Sequence, residues 1–147
     1  MLQTLLVDGY SEVIHMNLTG IATVINIIDE DTEQIQCTKV QKVHIEKTNQ
    51  VVLNGVQVAD SDNFILYYGE NKSKASRQRV SASEFTANPT SDIFAFRKGD
   101  YIADGDINIS SFAELNEAKQ KLGNIYEITS VSEYLFGRLA NIQVNAK

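Results

Sequence analysis

The chain has little with which to build a reactive or metal-bound centre. Its single cysteine, Cys37, cannot form an internal disulfide. With only two histidines, His15 and His44, there is no Cys/His cluster at zinc spacing. Neither a G-x-G-x-x-G pattern, a Walker loop nor a G-x-S-x-G elbow occurs, so the common nucleotide-binding and hydrolase signatures are missing. Apolar runs are short. Asn26 breaks the run Ala22–Ile28, and nothing approaches the roughly 20 apolar residues of a membrane-spanning helix, so no membrane partner is expected. Met1–Gly9 has no basic region ahead of its apolar residues and does not read as a signal peptide, which points to an intracellular, reducing setting. Positive charge is also scarce: 13 Lys and Arg stand against 19 Asp and Glu, for a net charge of −6. That balance excludes sequence-independent binding of nucleic acid over the whole surface and leaves room for one local basic contact.

What is present suits one domain. A chain of 147 residues, 43% hydrophobic and 22% charged, has a globular composition. At this length a fold buries roughly 70% of the surface its unfolded chain exposes, enough for a core without staples.

Most of the pattern is extended. Ala22–Ile28 reads as a buried strand, followed by an acidic turn at Asp29-Glu30-Asp31. In Gln36–Lys47, Val43 and Ile45 share one face while Val40 falls on the other, a parity break that predicts a bulge or a strand covered on both sides. Asn54-Gly55 marks a hairpin, and Asn63–Tyr68 is a further strand. Ile93–Phe96 runs into a Lys98-Gly99-Asp100 turn, then Tyr101–Ile107 with a bend at Gly105. A closing hairpin joins Tyr126–Val131 to Ala140–Val144. One helix is signalled. Ser111 and Glu114 form a capping box, Leu115, Ala118 and Leu122 make a stripe, Lys119 and Lys121 sit in the last turn, and Gly123 follows as C′. The expectation is a mostly β domain, a small barrel or sandwich of about seven strands with one short helix near the C-terminus. Residues 1–20 read as an N-terminal arm or extension, residues 21–147 as the domain, and residues 70–92 as a long loop.

No catalytic, cofactor or metal site can be assembled from these residues. His44 lies in an alternating strand, and Cys37 reads as a small core residue. Asp29-Glu30-Asp31 lacks the glycine and downstream glutamate of a calcium loop. Asp100, Asp104 and Asp106 are evenly spaced and read as turn and edge positions. The chain is therefore expected not to be an enzyme. Two features could carry contacts instead. Leu2, Leu5, Leu6 and Val7 could pack an inter-subunit arm onto a neighbour or onto their own domain. Lys72, Lys74, Arg77 and Arg79 lie in Glu70–Val80, which reads as an exposed, mobile loop. With Glu70 counted, that stretch carries +3 and leaves −9 elsewhere. It is either a solvated loop or a surface for phosphates or an acidic partner.

The run from Ile93 through Lys98-Gly99-Asp100 to Ile107 resembles a pattern in small structural proteins of tailed bacteriophages. There an aromatic strand leads into Lys-Gly-Asp, an aliphatic pair and a second glycine. Ile128-Thr129-Ser130-Val131, Phe136-Gly137 and Asn141-Ile142-Gln143-Val144 are similar to the same proteins' closing hairpin, and Val51–Tyr68 to their strand pair before a variable loop. Ser83 departs from the pattern, which carries proline before the acidic–aromatic pair Glu84-Phe85. The resemblance spans residues 20–147 and is to the minor capsid, or head–tail joining, proteins. It implies a virion protein of the neck, assembled in the host cytoplasm, and within the neck the head-closure (stopper) ring below portal and adaptor. Its partners would be copies of itself in a ring of sixfold or twelvefold symmetry, adjacent connector, portal-adaptor and tail proteins, and packaged DNA touched without sequence preference. In such rings a long loop points into the channel, and Glu70–Asn88, with Lys72, Lys74, Arg77 and Arg79, is the candidate here. A tail terminator or completion ring is the alternative within the neck. A small phage-encoded binding or inhibitor module is the alternative outside it.

Overall fold

The computed structural model describes residues 2–5, 14–48, 52–53, 56–57, 63–135, 137 and 140–147. In chain order its strands are β1 (Leu2–Leu5), β2 (Ile14–Asn17), β3 (Gly20–Asp29), β4 (Gln34–Thr48), β5 (Val52–Leu53), β6 (Val56–Gln57), β7 (Asn63–Gly69), β8 (Lys74–Ala75), β9 (Gln78–Arg79), β10 (Ile93–Phe94), β11 (Tyr101–Asp104), β12 (Ile125–Tyr134) and β13 (Asn141–Ala146). Two helices, α1 (Ala82–Ala87) and α2 (Phe112–Leu122), interrupt them. Six strands close a barrel in the order β3–β11–β12–β13–β7–β4, with β4 returning to β3 and every pairing antiparallel. β8 adds a seventh strand outside the ring, on β4. The protein is the small, mostly β barrel that the alternation of its residues requires. Closure removes most of the sheet edge that a strand pair would leave open.

Alternation fills the barrel. Ala22, Val24, Phe64, Leu66, Ile102, Ile128, Ile142 and Val144 point inward from their strands and are buried. β3 is covered on both faces, which is why its apolar run is nearly continuous. Its Ile25 faces outward and joins Ile35, Ala103 and Leu115 in a second cluster beneath α2. That helix starts where the sequence signals it: the Ser111 hydroxyl accepts the Glu114 N–H at 3.3 Å. It ends at Gly123, whose φ of 64° is the left-handed conformation a C′ residue needs. The Glu114 carboxylate does not complete the reciprocal half of the capping box; it accepts the N–H and hydroxyl of Ser110 instead.

The parity break in β4 is a bulge. Gly20 pairs with Val43 and Ile21 with Gln41, so Lys42 is the extra residue, at φ 56°. The insertion turns both Val40 and Val43 into the core. It also lets β4 change neighbours, from β8 at Val40 and Gln41 to β7 from His44 onward. Gly20 is required opposite the bulge, because a Cβ there would lie 2.7 Å from the Val43 carbonyl oxygen.

Residues 70–92, expected as a long loop, hold β8, β9 and α1. β9 pairs in parallel with β10, and α1 lies between them, its N-cap Ser81 accepting the Glu84 N–H. Phe85 is the one buried residue of α1. A lone aromatic in a polar stretch leaves no periodicity to read. At the N-terminus, β1 and β2 form a separate two-stranded sheet in which Leu2 faces Asn17 and Leu5 faces Ile14. Leu6, Val7, the Asn54-Gly55 turn and Phe136 lie outside the described residues, although β5 and β6 are paired on either side of that turn.

Candidate functional site

The basic cluster expected at Lys72, Lys74, Arg77 and Arg79 divides in two. From Ser73 to Arg79 the chain passes through β8, a bend at Ser76-Arg77 and β9, and burial alternates: Ala75, Arg77 and Arg79 are half-buried, while Lys74, Ser76 and Gln78 are exposed. Parity therefore sends the lysines outward and the arginines inward. Arg77 donates from Nε to the Ser91 carbonyl (2.8 Å) and from Nη1 to the Cys37 carbonyl (2.6 Å) and the Thr38 hydroxyl (3.3 Å). It ties the segment after α1 to the edge of β4. Arg79 is bound to the Glu70 carboxylate and lies 3.6 Å from that of Glu133. Both arginines are engaged within the monomer.

The exposed lysines acquire different companions. Lys74 stands opposite Gln41 in the β4–β8 ladder. The Ser73 hydroxyl donates to the Lys42 carbonyl at 2.7 Å and accepts the Gly69 N–H at 2.9 Å, which holds Lys72 and Lys74 on either side of the bulge. Lys39, Gln41, Lys74, Ala75 and Ser76 line a shallow cavity of about 240 Å³. Lys39 pairs with Asp106 at 3.4 Å. Lys42, Lys72 and Lys74 are exposed and make no ion pair with any carboxylate among the described residues. The surface cation patch is thus Lys39, Lys42, Lys72 and Lys74. Sequence spacing does not show Lys39 and Lys42; the parity break marks Lys42, and Lys39 carries no such signal.

A buried polar hub sits where β3, α1 and the Lys98-Gly99-Asp100 turn meet. Asp100 is 4% exposed. Its carboxylate accepts from Arg97 Nε (2.7 Å) and Nη2 (3.2 Å), from Asn26 Nδ2 (2.8 Å) and from the Ile27 N–H (3.4 Å). Arg97 also donates to the Ile27 carbonyl (2.6 Å) and the Thr86 hydroxyl (3.1 Å), and its guanidinium lies 4.9 Å from the centre of the Phe85 ring. Asn26 donates again to the Ala95 carbonyl at 2.8 Å. The asparagine that interrupts the apolar run of β3 is therefore a ligand of this hub. Bidentate pairing inside the protein is what makes arginine suited to the position.

Other titratable residues do not gather. Asp100, Asp104 and Asp106 go separate ways, to Arg97, to Lys47 (2.5 Å) and to Lys39 respectively. The hydrogen bond from Lys47 to Asp104 raises the lysine pKa. His44 lies 3.1 Å from Glu46 and its ring is 5.6 Å from that of Tyr67. Cys37 borders a groove of about 290 Å³ with Arg77, Gln36 and Ser91. Its thiol donates to the Ile109 carbonyl at 3.3 Å, and burial pushes its pKa up, which holds it in the unreactive thiol form. No histidine or carboxylate lines that groove among the described residues. The acidic turn of Asp29, Glu30, Asp31 and Glu33 joins β3 to β4 and is exposed. Among the described residues no three His, Cys, Asp or Glu side chains converge as a metal site.

Residues 19–147 match a family of unknown function (DUF6751). The chain belongs to that family. The match opens one residue before β3, so the family unit takes in the barrel and both helices and leaves the β1–β2 hairpin outside. No curated protein and no solved structure matches the chain.

Proposed function

We propose that this chain is a structural virion protein of a tailed phage, a non-catalytic component of the head-closure ring in the head–tail connector. The observation that carries the reading is the place of the resembling residues in the fold. The aromatic strand, the Lys98-Gly99-Asp100 turn and β11 lie where Asp100 joins Arg97 and Asn26 in the buried hub. Of the residues that resemble the head–tail joining pattern, Arg97 and Asp100 are thus members of this hub. A closed barrel with short protected edges also suits ring assembly, in which identical domains meet through heterologous contacts closed by rotation. The β1–β2 hairpin, lying outside the barrel sheet and carrying Leu2 and Leu5, is the natural inter-subunit arm.

The test is location and consequence in particles. In a phage encoding this chain, labelling of the purified virion places it at the neck, and its deletion gives heads that lose their DNA and do not join tails. Infectious particles that lack the chain overturn the reading.

A further inference from the structure

Two groups of opposite charge lie near the two ends of the first half of β4, without ion pairs among the described residues. The β3–β4 turn exposes Asp29, Glu30, Asp31 and Glu33, none of them ion-paired among the described residues. At the bulge of β4, Lys42 and, on the segment packed beside it, Lys72 and Lys74 make no ion pair among the described residues, next to the shallow cavity between Lys39 and Lys74. From Gln34 to Lys42 an extended chain covers about 26 Å at about 3.3 Å per residue. That exceeds the screening length of about 8 Å at physiological ionic strength, so the two groups cannot neutralise each other within one molecule.

We infer that the lysine patch at the β4 bulge docks on the acidic β3–β4 turn of a second copy of this chain. The contact names the neighbour in the proposed ring and rests on that reading. Two observations favour a second copy over nucleic acid as the occupant. The chain itself carries the complementary carboxylates, at a distance along β4 that a neighbouring molecule can span. The arginines that could grip phosphates in bidentate fashion are committed to Cys37, Ser91, Glu70 and Glu133 within the monomer. The contact is heterologous, patch to turn, so each copy keeps one free end of each sign until a ring closes.

The experiment is sedimentation of the full chain and two charge-reversed variants. One carries Lys72→Glu and Lys74→Glu, the other Glu30→Lys and Asp31→Lys. Lys42 and Glu33 are spared because their φ values are positive and their backbone is best left alone. The wild-type chain should self-associate, and its association constant should fall at least about tenfold in about 1 M salt, where the screening length is about 3 Å. Each variant alone should remain monomeric with an unchanged circular dichroism spectrum. An equimolar mixture of the two should associate again, because reversed patch meets reversed turn, and a misfolded variant could not give that rescue. Association that charge reversal leaves unchanged overturns this contact and leaves the ring reading standing. A chain that stays monomeric under all conditions also overturns the contact, while virion labelling decides the ring reading separately. Binding of a DNA duplex that is lost in Lys72→Glu/Lys74→Glu, without self-association, overturns the contact and makes the patch a phosphate surface.

Discussion

Removing one partner from the buried hub should cost far more than removing both. Asp100→Ala leaves Arg97 Nε, Asn26 Nδ2 and the Ile27 N–H without their acceptor, at a site where the Asp100 side chain is 6% and the Arg97 side chain 17% exposed. Loss of one member of a buried ion pair costs about 3–5 kcal/mol, because the survivor stays desolvated. Domains are stable by only about 5–15 kcal/mol, so this is a large fraction of the whole. At a urea m-value of about 2 kcal/mol/M, the unfolding midpoint should fall by about 2 M. The comparison that decides the cause is a double-mutant cycle. Arg97→Met alone strands Asp100 and also forfeits the contacts to Thr86 and Phe85. Arg97→Met with Asp100→Ala removes both charges and leaves only neutral groups without these partners, the Asn26 amide and the half-buried Ile27 N–H and carbonyl, at about 1–3 kcal/mol for the buried amide. The double variant should therefore lose less than either single variant, and at least about 3 kcal/mol less than the sum of the singles, at the top of the range found for coupled neighbours. Equilibrium urea unfolding of the four proteins measures this directly. A single-variant loss under about 1 kcal/mol, or strict additivity, refutes the claim that the pair is buried and coupled.

Two further outcomes follow from the barrel's construction. Gly20→Ala should destabilise by about 1–3 kcal/mol, since its Cβ must displace the Val43 carbonyl or the bulge beneath it, and a neutral result in thermal unfolding would mean the bulge is not rigid. Stability should also decline in alkali. Burial raises the pKa values of Tyr67 and Tyr68, so the folded state holds these phenol protons more tightly than the unfolded chain. The contribution is complete below about pH 10 and is lost as pH rises through the folded values. Lys47, raised by its hydrogen bond to Asp104, acts in the same direction but weakly, because the pair is largely exposed. Urea midpoints between about pH 8 and 11.5 test the sign, and a Tyr68→Phe variant with the same decline as wild type would exclude Tyr68 as a source.

Local patterns in the sequence determine much of this protein. Strand alternation specifies which side chains of β7 and β13 fill the barrel, because a slip of one residue exposes them all. The Ser111 cap and Gly123 mark the ends of α2, since the groups that satisfy a helix terminus lie within a turn of it. The parity break at Val40 and Val43 is the bulge at Lys42 written in advance. What tertiary structure alone decides are meetings between distant segments. Asn26, Arg97 and Asp100 are unremarkable polar residues until closure of β3 against β11 buries them together. The four basic residues after Glu70 look equivalent along the chain. Only the packing of that segment on β4, β10 and β12 turns Arg77 and Arg79 inward and groups Lys72 and Lys74 with Lys39 and Lys42. Spacing along a chain records which face a residue takes within its own element. It does not record which other element will lie against that face, because that depends on how the whole barrel closes.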